Sequence, residues 1–92
     1  MYYVLIKNVA REGKVDQYAE VSKRFGAAME QLPGCLSFEV IRSCEDSRVV
    51  ANLIRWESRK AAEADDGSTF LAFKPELKPL FESNTTEAFE IL

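Results

Sequence analysis

Asn52 and Trp56 stand four residues apart in the otherwise apolar run "VVANLIRW", residues 49–56. On an extended chain, positions i and i+4 share a face, so the amide and the indole point the same way. A buried amide without partners costs about 1–3 kcal/mol by mutational measures, so Asn52 must be paired, exposed or put to use. In a dry pocket an amide N–H stabilises an oxyanion, and an indole stacks on an aromatic ring and donates through its N–H. A plainer reading stands beside this one. A tryptophan at the end of a strand, under a helix, also serves as a core anchor, and an asparagine can pair with a neighbouring backbone group.

Histidine is absent, and this removes Ser-His and Cys-His nucleophilic machinery, histidine-ligated zinc and a histidine-ligated haem. No metal site is expected; Asp65–Asp66 would be a weak one, and the pair reads as solvated surface. Acid–base work must fall to Asp, Glu, Lys, Tyr or Cys. Cys35 and Cys44, the only cysteines, would lie roughly 30 Å apart if both sat on one extended strand. That is too far for a disulfide, so both are expected to be free, with Cys35 a small packing residue.

Elements that would position Asn52 and Trp56 follow from periodicity. Residues 2–9, "YYVLIKNV", are rich in aromatic and β-branched types and read as a strand. From Lys14 to Leu32, Val15, Tyr18, Val21, Phe25, Met29 and Leu32 fall three or four apart, a helix with one apolar stripe that "LPG" ends. Leu36, Phe38 and Val40 alternate with Ser37 and Glu39, so 35–43 is a strand; "CEDSR" turns the chain into the next strand, 49–56. Ser58 suits the cap of a helix over 59–66, which "DDGS" interrupts. Ser68 suits the cap of a second piece with a stripe of Phe70, Phe73, Leu77 and Leu80/Phe81, which Pro75 and Pro79 should break or kink. The final "TEAFEIL" reads as the last strand.

This order predicts an α+β, ferredoxin-like βαββαβ arrangement, an antiparallel sheet with both helices on one face. The 92 residues suit one domain, 1–92, with a lean core. Net charge is −3 and no basic face stands out, so no nucleic-acid or anionic-membrane partner is expected. The first residues are too short an apolar run for a span and lack a basic leader region, so a cytoplasmic protein is expected. Strand 49–56 is apolar on both sides, as is 2–6. Helices cover one face only, and a bare apolar sheet face is rare on soluble monomers. A homodimer through the open sheet face is therefore expected.

"REGK" after the first strand, "LPGCLSFEV", "IRWES" and "TFLAF" occur in this order along nearly the whole chain. In this set the sequence resembles the antibiotic biosynthesis monooxygenase (ABM) family, which includes quinol monooxygenases and haem-degrading relatives. The resemblance implies a dimeric α+β barrel with a substrate pocket between sheet and helices. It also implies catalytic roles for Asn52 and Trp56, since family enzymes that oxygenate polycyclic phenols without a cofactor use an asparagine and a tryptophan at this spacing. Triplet dioxygen reacts poorly with closed-shell molecules, so such an enzyme needs an electron-rich, deprotonated substrate; Asn52 would hold the phenolate and Trp56 would stack on the ring. Tyr18, Phe25, Phe70 and Phe73 would roof the pocket, although core packing explains their spacing equally. "EADDGSTF" carries Asp65, Asp66 and Thr69 where family members often have histidines, which disfavours the haem-degrading branch.

Three functions remain open at this level: a cofactor-independent monooxygenase acting with O2 on a quinol or polyphenolic aromatic substrate, an isomerase of a small metabolite on the same fold, and a non-catalytic dimer that binds a small aromatic ligand. Fold alone does not choose among them.

Overall fold

The computed structural model describes residues 1–92. The chain runs β1 (Tyr2–Ala10), α1 (Val15–Met29), β2 (Cys35–Arg42), β3 (Val49–Trp56), α2 (Arg59–Glu63), α3 (Ser68–Leu77), a 3-10 turn (Lys78–Leu80) and β4 (Phe81–Glu90). The four strands form one antiparallel sheet in the order β2-β3-β1-β4, the ferredoxin-like α+β arrangement that the element order predicts. No helix is long and apolar enough to cross a membrane.

Register decides which side chains meet the helices. Tyr2, Val4, Ile6 and Asn8 of β1 pair with Trp56, Ile54, Asn52 and Val50 of β3, and directly paired residues share a face. Val50, Asn52, Ile54 and Trp56 are all buried, as are Tyr18, Val21, Phe25 and Met29 of α1. One stripe of α1 therefore closes on one face of β3. Gly26 lets it come close, because a Cβ there would overlap the Phe38 ring, and Phe25 meets that same ring edge-on at 5.3 Å.

The opposite sheet face carries Tyr3, Leu5 and Val9 of β1, Ala51, Leu53 and Arg55 of β3, Ile41 of β2 and Phe89 of β4. No helix lies over it. Ile41 and Phe89 stay more than two-fifths exposed.

Several boundaries differ from the expectation. α2 closes at Glu63 and the chain turns at Gly67, whose φ of +79° lies in the left-handed region that glycine tolerates best. Ser58 caps α2 as expected, accepting from the Ala61 N–H at 3.1 Å. Ser68 is instead the first residue of α3, and the Asp66 carboxylate accepts its N–H at 2.9 Å. Pro75 sits inside α3 without ending it; the helix runs two residues further and then tightens around Pro79. β4 begins at Phe81, five residues before the expected "TEAFEIL", because its early residues are solvent-exposed on both faces and show no apolar alternation. Cys35 is buried and Cys44 exposed in the hairpin, and both are free thiols.

Candidate active site

Between the helix-facing side of the sheet and the helices lies a cavity of about 270 Å3, just under the size typical of drug-sized ligand sites. β1 supplies Val4, Ile6 and Asn8; β3 supplies Asn52, Ile54 and Trp56; α1 supplies Tyr18, Phe25 and Met29. Ala62, Asp65, Phe70, Leu77, Phe81 and Asn84 complete the lining. The alternation of β3 puts Asn52 and Trp56 on one wall, as their spacing predicts.

Asn52 is 4% exposed, and its Oδ1 is buried with no hydrogen-bond partner. The cause is register. Asn52 is flanked across the sheet by Ile6 and Val40, neither of which has a polar side chain to offer. The second buried asparagine is the contrast: Asn8 donates through Nδ2 to the Val50 carbonyl at 3.1 Å, so its amide is engaged in holding β1 to β3. A polar side chain left unpaired in an apolar wall is costly unless something else occupies it.

Trp56 is 3% exposed. Its ring therefore belongs to the core as much as to the cavity, and the anchor and pocket readings hold together. Tyr18 is buried, and burial pushes its phenol up to about 12; the Ser22 hydroxyl one turn on falls short of hydrogen-bond geometry and opposes this only weakly. Tyr18 stays a neutral phenol in the physiological range.

Of the four expected roof residues, Tyr18, Phe25 and Phe70 line the cavity. Phe70, 39% exposed, meets Phe25 at 6.0 Å between ring centroids. Phe73 does not line it; its ring packs on Phe25 at 5.6 Å, as a core residue. Asp65 departs from the solvated-surface expectation. It is half-buried and contributes the only carboxylate to the lining, because the five-residue α2 and the turn at Gly67 bring it back over the sheet. Asn8 and Asn84 also line the cavity, beyond the residues the sequence singles out. Even-number parity along β1 (Tyr2, Val4, Ile6, Asn8) is a signal for the first. No comparable signal exists for Asn84, on a strand that reads as polar loop. No group of His, Cys, Asp and Glu is placed to hold a metal ion.

The lining thus offers an apolar slot, one buried unpaired amide at Asn52, a more exposed amide at Asn84, one indole, one neutral phenol and one carboxylate, with no Lys or Arg. Such a site suits an uncharged, hydroxylated aromatic molecule: rings fill the slot, and hydroxyls find the amide and the carboxylate.

Known proteins share this architecture. A candidate antibiotic biosynthesis monooxygenase from Nitrosomonas europaea superposes with a TM-score of 0.85 at 17% identity, covering 100% of this chain and 99% of its own. A candidate antibiotic biosynthesis monooxygenase from Bordetella bronchiseptica gives 0.86 at 13% identity over 99% and 96% of the two chains. Rv0793 from Mycobacterium tuberculosis gives 0.82 at 16% identity over 99% and 94%. At these identities the likeness shows a shared fold. No curated protein matches the chain in sequence. The sequence model of the antibiotic biosynthesis monooxygenases, however, matches residues 1–75, from the start of β1 through most of α3, and takes in every lining residue except Leu77, Phe81 and Asn84, and the chain belongs to that family.

Proposed function

We propose that the protein is a homodimeric monooxygenase that works without a bound cofactor on a quinol or polyphenolic aromatic substrate. The observation that carries this reading is the unpaired amide of Asn52 in an otherwise apolar cavity. Oδ1 accepts from a substrate hydroxyl. Turning the amide about its last torsion exchanges its ends, so that Nδ2 donates to the same oxygen once it is ionised. Trp56 and Phe25 supply aromatic surface for the ring. Rings that fill the slot displace water from it, which strengthens that hydrogen bond.

A phenolate is electron-rich enough to give an electron to triplet O2. For a quinol the reaction balances as quinol plus O2 giving a hydroxyquinone and water: one oxygen atom enters a ring C–H as a hydroxyl, both quinol hydroxyls become carbonyls, and their two hydrogens leave with the second oxygen as water. The ring loses four electrons, and O2 gains them.

The dimer reading rests on the uncovered sheet face. It carries Leu5, Val9, Ile41, Leu53 and Phe89, and among them the Arg55 Nε is buried with no acceptor. A second copy laid on this face would cover the apolar band and bring acceptors to the guanidinium. Covering this face in a dimer would add apolar burial to a chain with few fully buried residues of its own.

The test is oxygen uptake by the purified protein against quinols and hydroxylated polycyclic phenols. Uptake above the autoxidation blank, lost in Asn52→Ala, supports the reading. Turnover without oxygen would mark an isomerase. Saturable quenching of Trp56 fluorescence with no turnover would mark a binding protein.

A further inference from the structure

Asp65 lines two cavities. One is the slot described above. The other, of about 250 Å3, lies on the far side of Trp56 and is lined by Leu32, Pro33, Ala61, Ala64, Asp66 and Ser68 besides Trp56 and Asp65. Those last two are the only residues common to both cavities. The outer space has exposed residues on its walls, Pro33, Ala64, Asp66 and Ser68 among them, so water reaches it. The Asp65 carboxylate thus borders both cavities, with water at hand in the outer one.

Its partners do not explain this position. One carboxylate oxygen accepts from the Gly67 N–H at 3.0 Å and shapes the turn, a task that an asparagine would perform equally. The carboxylate forms no ion pair with any lysine or arginine. The other ionisable groups lining the two cavities are Tyr18, which burial keeps protonated, and Asp66, whose carboxylate is held below its usual range by the Ser68 N–H it accepts. Tyr18 already holds its proton and so has no free site to accept another, and Asp66 lines only the outer cavity.

We propose that Asp65 is the proton acceptor of the site, taking a proton from the bound aromatic and releasing it to water in the outer cavity. This rests on reading the inner cavity as the substrate pocket. For a hydroxyl, the substrate O–H bond breaks and an O–H bond forms on Asp65, while the electron pair stays on the substrate oxygen. For the keto tautomer of a phenol, a C–H bond breaks instead, and the pair moves through the ring to the oxygen. In both cases the negative charge is left on an oxygen that the Asn52 amide can hold. Proton and charge are taken by different walls, which keeps the carboxylate from facing the oxyanion while still ionised.

The test separates proton transfer from oxidation. Anthrone, the keto tautomer of a tricyclic phenol, is incubated anaerobically with the protein in deuterated buffer, and exchange of its methylene hydrogen is followed by proton NMR. The wild type should exchange it at least about tenfold faster than buffer, since a positioned base contributes about 10²–10⁴-fold. Asp65→Asn keeps the turn, should still bind anthrone by quenching of Trp56 fluorescence, and should exchange it at the buffer rate. Asp65→Ala should regain exchange when formate is added, the small acid entering from the outer cavity. Exchange by Asp65→Asn equal to the wild type, or a wild type no faster than buffer, overturns the proposal. Oxygen uptake is read separately. Exchange without uptake leaves Asp65 as the base and removes the oxygenase, whereas uptake unchanged in Asp65→Asn together with unchanged exchange removes the base and keeps the oxygenase.

Discussion

Replacing Asn52 by leucine should make the protein more stable and less active. The amide is buried, its Oδ1 has no partner, and Ile6 and Val40 flank it across the sheet. An unpaired buried polar group costs about 1–3 kcal/mol, and Asn52→Leu removes it. The larger side chain has the cavity of about 270 Å3 to grow into, so overpacking takes back little. The net expectation is a gain of about 1–2 kcal/mol. For a domain of this size each kcal/mol moves Tm by about 4–8 °C. Urea titrations at fixed protein concentration, followed by the fluorescence of the single buried tryptophan, measure it. Oxygen uptake in the same variant should fall by about 10²–10³-fold, the usual loss for one oxyanion donor. A variant less stable than the wild type by 1 kcal/mol or more would refute the reasoning, because it would mean that the amide is already paired within the protein or that the cavity does not admit the larger side chain.

Three further outcomes follow from particular contacts. The Tyr18 phenol is raised from 10.0 to about 12 by burial. Its contribution is therefore complete below pH 10 and is lost as pH climbs from 10 to 12, a decline of about 2–3 kcal/mol in urea titrations that Tyr18→Phe should flatten. Gly26→Ala would drive a methyl into the Phe38 ring; despite the better helix propensity, it should lower stability by about 1–3 kcal/mol, and an unchanged urea midpoint would show that α1 packs less tightly on β2 than the structure has it. Leu53→Glu puts a charge at the centre of the uncovered sheet face and should turn a dimer into a monomer by light scattering; a wild type that is already monomeric at micromolar concentration defeats the dimer reading at once.

The pattern of apolar residues was sufficient for the elements that bury one face. In α1 the spacing of Tyr18, Val21, Phe25 and Met29 marks both the helix and its buried stripe, since a 3.6-residue period admits no other regular structure. In β3 the alternation puts Asn52 and Trp56 on one side at once, and the structure keeps them there. The same logic fails where an element buries little. β4 is exposed over nearly its whole length, so nothing in "FESNTTE" announces a strand; its existence comes from backbone pairing with β1, which any side chain permits. Whether Phe70 or Phe73 reaches the cavity depends on the angle at which α3 crosses α1, and both fit one helical stripe in the sequence. Asp65 is the clearest case. Read along the chain, "EADDGS" is a solvated break between helices. The first of its two acids lines the cavity because α2 ends after five residues, two before it, and the chain turns at Gly67, two after it; the second accepts the Ser68 N–H at the start of α3, outside the cavity. Local periodicity determined which residues face inward. Which inward-facing groups share one cavity was decided by the register of β1 on β3 and by the path of the chain between α2 and α3, because both join residues far apart in sequence that no local pattern links.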